Sequence, residues 1–305
     1  MLRYLLIRLM HAILTLFVIS IVVFALARLT GNPLDLIMPE WATEEMYKAM
    51  AERLGLDRPY PEQYIRFIGS ILQGDFGLSA LTRQPIGPMF FDALRNSMKL
   101  IVVSFPFSVL LAIPLAMIAA TRVGTTWSRL VMAIAVFGQS APSFFVGLML
   151  IWIFSVKLGV LPAARMVGPT SYILPGITIS LFTLAAQTRL LRNSLLRVLG
   201  SDFIKLIRLK GASERIVLWK HALRNSSLAM LTNAGQMFAH LVVGGIVTET
   251  VFAWPGAGRL IYQGIMERDY ALIQTSVLVI CTFMVVMSFI IDLIYAYIDP
   301  RIRVY

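Results

Sequence analysis

Three ionisable side chains, His240, Glu249 and Asp292, fall inside long apolar stretches of this 305-residue chain. A charge in hydrocarbon is costly, so each is a candidate for a solute path or a partner contact. Asp292 sits near the end of its stretch, where it can reach water. Asn233, Gln236 and His240 recur at helical spacing and make a polar stripe. That stripe could line a translocation path or join helices through hydrogen bonds. The run Trp254-Pro255-Gly256-Ala257-Gly258 permits a tight re-entrant turn lining a cavity, which membrane depth tolerates only under shielding from lipid. A plain surface turn is the alternative. Catalytic groupings are missing: there is no Ser/His/Asp set, no convergent pair of carboxylates and no G-x-x-x-x-G-K-[ST] phosphate cradle. Histidines at 11, 221 and 240 and the single Cys281 suggest neither a metal site nor an intrachain disulfide.

The elements that must carry these residues follow from composition. The chain is 58% hydrophobic and 14% charged, with a mean hydropathy of +0.78, too apolar for a dispersed soluble domain. A helix spans a bilayer core with about 20 apolar residues. Six stretches qualify, at about 9–29, 97–120, 130–156, 172–188, 228–253 and 271–298. Arg3, Arg8 and Ala25-Leu26-Ala27 imitate a secretory signal, but the stretch is long enough to span and reads as a retained first helix. The net charge of +11 invites a nucleic-acid reading. Its basic residues, however, lie in the gaps between apolar runs, as cytoplasmic loops require. Their bias predicts both termini inside.

Two gaps exceed mere connectors. Segment 30–96, predicted to be external, reads as short helices: Thr43 caps a stretch opening with Glu44 and Glu45 and stopping at Gly55, and a second runs from Glu62 to Gln73 and stops at Gly74. Tyr64 and Phe67 suit packing on the outer mouth of a helix bundle. Segment 189–227, predicted to be internal, holds nine of the 27 basic residues. Two short helical patterns flank Lys210-Gly211-Ala212. Gly211 suits a left-handed helix stop, Ser213 can cap the next helix, and Glu214 favours its positive end. Ile216 and Trp219 stand out as apolar teeth among Arg208, Lys210, Arg215, Lys220 and Arg224, which looks like a docking element.

Here the sequence resembles a known family. Asp202 to Arg215, followed by His221-Ala222-Leu223-Arg224-Asn225, is similar to the coupling loop of ABC importer permeases, and more narrowly to the first permease of the dipeptide/oligopeptide/nickel group. The general Glu-Ala-Ala motif is poorly kept, with Lys205, Leu206 and Ile207 in its place. The group's own pattern, close to R-T-A-R-A-K-G-x-S-E and H-A-L-R-N, fits better, although Ala229 stands where that group usually has proline. Further similar stretches are Leu54 to Pro59, Gly74 to Ser79, Tyr172 to Pro175, Glu249 to Leu260 and Asp299 to Arg301, so the resemblance covers nearly the whole chain.

The resemblance implies an all-α, six-span permease without catalytic activity: residues 1–29 as terminus and first span, 30–96 as a periplasmic helical segment, and 97–305 as the permease core. It implies a multi-pass protein of the bacterial inner membrane, paired with a homologous permease. Two ATPase subunits would hold ATP and Mg, leaving this chain without cofactors, and an external solute-binding protein would feed it. Residues implied in coupling are Arg208, Lys210, Gly211, Ser213, Glu214, Arg215, Ile216, Trp219, His221, Arg224 and Asn225; Asn233, Gln236, His240, Trp254, Pro255 and Gly256 are candidates for the path. Di- or oligopeptides are the expected cargo, with glutathione, opines and nickel chelates as alternatives. An ion-coupled carrier would instead need more intramembrane carboxylates and an inverted repeat. A membrane enzyme would need a nucleophile and base at one depth.

Overall fold

The computed structural model describes residues 2–29, 34, 38 and 41–298, with side chains also omitted at several positions including His240 and Asp292. The expectations resting on those two side chains, and the Asp299 to Arg301 stretch, therefore lie outside the described residues. Described residues are helical or loop, with one isolated bridge between Leu78 and Pro85. Among the described residues, four helices are long and apolar enough to cross a membrane, or five if a bent pair counts as one span. The chain divides into two compact units, Met1–Ser97 with Pro255–Tyr305, and Met98–Trp254.

In the first unit, α1 (Leu2–Leu29) packs along α12 (Tyr270–Ile298). Between them in sequence come α2 (Glu44–Leu54), α3 (Tyr60–Leu72) and the start of α4 (Ile86–Thr121). Thr43 Oγ1 accepts from Met46 N–H, and Gly55 stops α2 at φ 68°, as its sequence predicts. Tyr64 and Phe67 pack on Phe24 of α1, with ring centroids 5.5 and 5.9 Å away. Tyr64 also shares a 2.7 Å hydrogen bond with Ser20, so these aromatics fasten α3 to α1.

Between the turn predicted at 254–258 and the span predicted from 271, the structure contains a further helix, α11 (Ala257–Met266). Ala257 N–H donates to Ser97 Oγ at 2.9 Å, and Asn96 donates to the Pro255 carbonyl at 3.1 Å. Asp269 is 1% exposed. It accepts from Ser79 at 2.6 Å and from Leu272 N–H at 3.1 Å, capping α12.

In the second unit the expected third span proves to be broken. α5 (Thr126–Ser140) and α6 (Ser143–Leu150), which runs on as a π turn to Lys157, meet at 110° across Pro142. Proline disfavours helical backbone at the residue before it and lacks an N–H, so an elbow forms there. α7 (Ile173–Leu199) continues eleven residues past the predicted end at 188; Arg189, Arg192 and Arg197 ride on its last turns instead of a loop. Arg192 Nε reaches the Ala119 carbonyl near the end of α4 at 3.4 Å, and Ser128 of α5 donates to the same oxygen at 2.9 Å. Small residues permit close approach between helices: a Cβ on Gly138 would stand 3.0 Å from Ala185 Cβ, and one on Gly176 would stand 2.8 Å from Ser104 Oγ.

Candidate functional site

The basic loop forms α8 (Asp202–Leu209) and α9 (Glu214–Ile216). Its hydrophobic pattern splits by face. Ile204 and Ile207, three apart, turn inward: Ile204 is fully buried, beside Ala116, Met117, Leu191, Leu195, Val217 and Ala222, and Ile207 packs on the same cluster. Phe203, Leu206 and Leu209, also three apart, remain 50%, 52% and 85% exposed. On the other side of the turn Ile216 and Trp219 are 46% and 55% exposed. The loop is thus anchored through one apolar face while presenting another. The sequence reading chose Ile216 and Trp219 as teeth and passed over Phe203, Leu206 and Leu209, although their i, i+3, i+6 spacing carries the signal.

Gly211 lies between the helices at φ +80°, with no atom within 4 Å of where a Cβ would stand. Its N–H donates to the Arg208 carbonyl at 2.9 Å, closing α8. Ser213 occupies the predicted cap position, but its side chain makes no capping bond; its carbonyl accepts from Val217 N–H at 3.0 Å. Glu214 instead engages Arg208: Nε to Oε1 is 2.7 Å and Nη2 to Oε2 is 3.2 Å. This two-pronged pair holds the Glu214 carboxyl below the usual carboxylate range, chiefly through hydrogen bonding. Lys210, Arg215, Lys220 and Arg224 are exposed. The half-buried His221 meets Phe203 edge-on at 6.0 Å.

The second helical pattern is not a separate short helix. α9 passes through a π turn, Val217–Ala222, directly into α10 (Leu223–Val251). Asn225 donates to the His221 carbonyl at 2.7 Å, satisfying an acceptor at that turn.

Among the path candidates, Asn233 turns toward α7. There the fully buried Gln187 faces α10: its Nε2 stands 3.3 Å from Asn233 Oδ1, and with the amide turned over it instead donates to the Met230 carbonyl at 3.3 Å and accepts from Ala234 N–H at 3.0 Å. That contact joins helices. Gln236 is exposed. Trp254 is fully buried, edge-on to Tyr172 with centroids 4.8 Å apart, while Pro255 is exposed and Gly256 precedes α11. Glu249 is 2% exposed. The structure therefore gathers the residues expected in coupling around the Gly211 turn and the helices beside it, whereas the described path candidates lie in different environments.

Apolar helices long enough to span a membrane thus carry a basic, firmly anchored helical turn with outward apolar side chains. The chain belongs to the binding-protein-dependent transport system inner membrane component family, whose model matches residues 112–304, with the family's N-terminal model matching residues 1–112. It is 37% identical over 304 residues to the glutathione transport system permease protein of Escherichia coli (strain K12), covering 99% of each chain. It is 34% identical over 332 residues to the dipeptide transport system permease protein of Alkalihalophilus pseudofirmus, covering 99% of this chain and 100% of that one. A crystal structure of an amino acid ABC transporter with histidines shares the fold, at TM-score 0.56 and 14% identity over 69% of this chain and 94% of that one. The chain is accordingly a permease subunit of an ABC importer, a non-enzymatic multi-pass membrane protein that works with ATPase and binding-protein partners.

Proposed function

We propose that this chain is the first of two homologous permeases in an importer of di- or oligopeptides, driven by two ATPase subunits that carry the ATP and Mg. Counting α10 as a span gives six, with both termini in the cytoplasm and residues 30–96 outside. The positive charge gathered along 189–224 supports that orientation. Peptide cargo is supported by the relatives whose names specify dipeptide and glutathione, glutathione being itself a tripeptide.

The observation that carries the reading is the exposed apolar set Phe203, Leu206, Leu209, Ile216 and Trp219 around the Gly211 turn, backed by buried Ile204, Val217 and Ala222. Apolar teeth seated in a cleft of an ATPase resist slipping, and the helix behind them resists bending. Because α9 runs unbroken into α10, displacement of Trp219 is delivered along a rigid element to the Gln187 contact. Closure of the ATPase pair would thereby open the cavity outward, and hydrolysis would reset it inward.

The test is reconstitution with the partner permease, ATPases and binding protein in proteoliposomes. ATP-dependent peptide uptake that fails without the ATPases is expected; uptake driven by an ion gradient alone overturns the proposal in favour of a secondary carrier.

A further inference from the structure

At the C-terminal end of α1 and the start of α3, two polar atoms find no partner among the described residues. Arg28 Nε and Gln63 Oε1 are buried and, among the described residues, meet no hydrogen-bonding group. One is a donor on a permanent cation and the other a neutral acceptor, and leaving either unpaired is unfavourable. Gln63 is only 7% exposed. Its Nε2 donates to the carbonyls of Arg58 at 2.7 Å and Leu56 at 3.1 Å, which fixes the direction of Oε1.

Both residues line one cavity of ≈ 530 Å³, together with Glu44, Tyr47, Lys48 and Tyr60. Arg28 and Tyr60 also line a second cavity of ≈ 480 Å³, whose other walls include Ile21, Phe24, Ala25, Leu29, Pro61 and Tyr64. The first has polar and apolar walls in near-equal share, the second is almost wholly apolar, and the Arg28 guanidinium stands at both, 5.3 Å from the Phe24 ring centroid. Depth adds a third constraint. The spanning part of α1, Leu6–Leu29, has 24 residues. At ~1.5 Å per residue it exceeds a hydrocarbon core of about 30 Å, which places Arg28 at headgroup level and Ile21 among the chains.

We infer that this end of α1 binds a phospholipid with a phosphoethanolamine head. The phosphate accepts from Arg28, the ammonium donates to Gln63 Oε1 and faces the Glu44 carboxylate, and one acyl chain follows the apolar cleft. A headgroup that is only anionic satisfies Arg28 but brings no donor for Gln63. A soluble phosphate leaves the apolar cleft unused. Bound there, the lipid joins the helices after α1 to the bilayer.

The experiment uses the full chain within its transporter, in nanodiscs of equimolar phosphatidylethanolamine and phosphatidylglycerol, with retained lipid identified by native mass spectrometry after release into mild detergent. Wild type should retain phosphatidylethanolamine preferentially. Arg28→Gln should lower that retention on the order of tenfold, the loss of one charge-assisted hydrogen-bonding group. Ala25→Phe, a change at an exposed position that fills the acyl cleft, should lower it as well, and decides the matter if the arginine variant does not assemble. Equal retention of both lipids by wild type, or undiminished retention in Ala25→Phe, overturns the proposal. So does displacement of the lipid by an equal concentration of glycerophosphoethanolamine, which would identify a soluble ligand instead.

Discussion

Arg208 and Glu214 close the turn around Gly211 from opposite sides, Arg208 donating to both carboxylate oxygens at 2.7 and 3.2 Å. Arg208, one of the basic residues of the expected docking element, is thus engaged within the chain. The pair links two helices across the turn, while Lys210, Arg215, Lys220 and Arg224 are exposed.

Gly211 should be replaceable only according to backbone conformation. At φ +80° with open space around it, Gly211→Val meets no clash but carries the left-handed penalty of about 1–2 kcal/mol, heightened by β-branching. Gly211→Asn, which tolerates that region, should behave nearly as wild type. Parallel assays of ATP hydrolysis and peptide uptake should show the valine variant hydrolysing without transporting; equal uptake by both variants would remove the turn from coupling.

The Arg208–Glu214 pair gives a signed pH dependence. Because the folded Glu214 pKa is lowered, its contribution is present above the unfolded value of about 4.3 and is lost as pH falls through the lower folded value. Glu214→Gln should therefore differ slightly from wild type in thermal midpoint at pH 7 and pH 5, with the gap closing below pH ~4. A gap that persists unchanged at acid pH would show that the carboxylate charge is not its source.

Two neighbouring apolar residues should fail in different ways. Trp219→Asp, at a side chain 55% exposed, should leave the chain folded but reduce co-purification with the ATPases. Ile204→Ala, at a fully buried site, should cost about 2–5 kcal/mol of stability through the cavity it opens. Melting curves and pull-down yields measured together separate the two, and a Trp219→Asp variant with undiminished yield would show that this tooth is not seated in the partner.

Close helix approach at Gly138 should be intolerant of bulk. Its would-be Cβ stands 3.0 Å from Ala185 Cβ and 3.2 Å from Leu181 Cγ, so Gly138→Leu must push α5 from α7. Overpacking of this kind typically costs about 1–3 kcal/mol. A lower melting temperature and reduced membrane yield are expected, with wild-type behaviour counting against this packing.

What the sequence disclosed depended on whether a feature was local. The Thr43 cap, the Gly55 stop and the Gly211 turn were legible because each is decided by the backbone preference of one residue and its neighbours. Pro142 was visible, yet a proline does not announce whether its helix bends slightly or turns through 110°; that depends on what α6 packs against, including the approach of Gly147 to Phe252. The join of α9 to α10 is hidden because a short polar helical pattern and the apolar run from 228 read as two elements, whereas the π turn Val217–Ala222 carries the helix straight from one into the other. The role of Asn233 depended on Gln187, 46 residues away, a distance no periodicity spans.

The Ala119 carbonyl has a practical use for anyone following this transporter as it works. Ser128 and Arg192 both reach that one oxygen, so the ends of α4, α5 and α7 share a common knot. Spin labels placed near it on any two of those helices should report a constant separation throughout the cycle. That makes the knot a natural origin from which the travel of every other part can be surveyed.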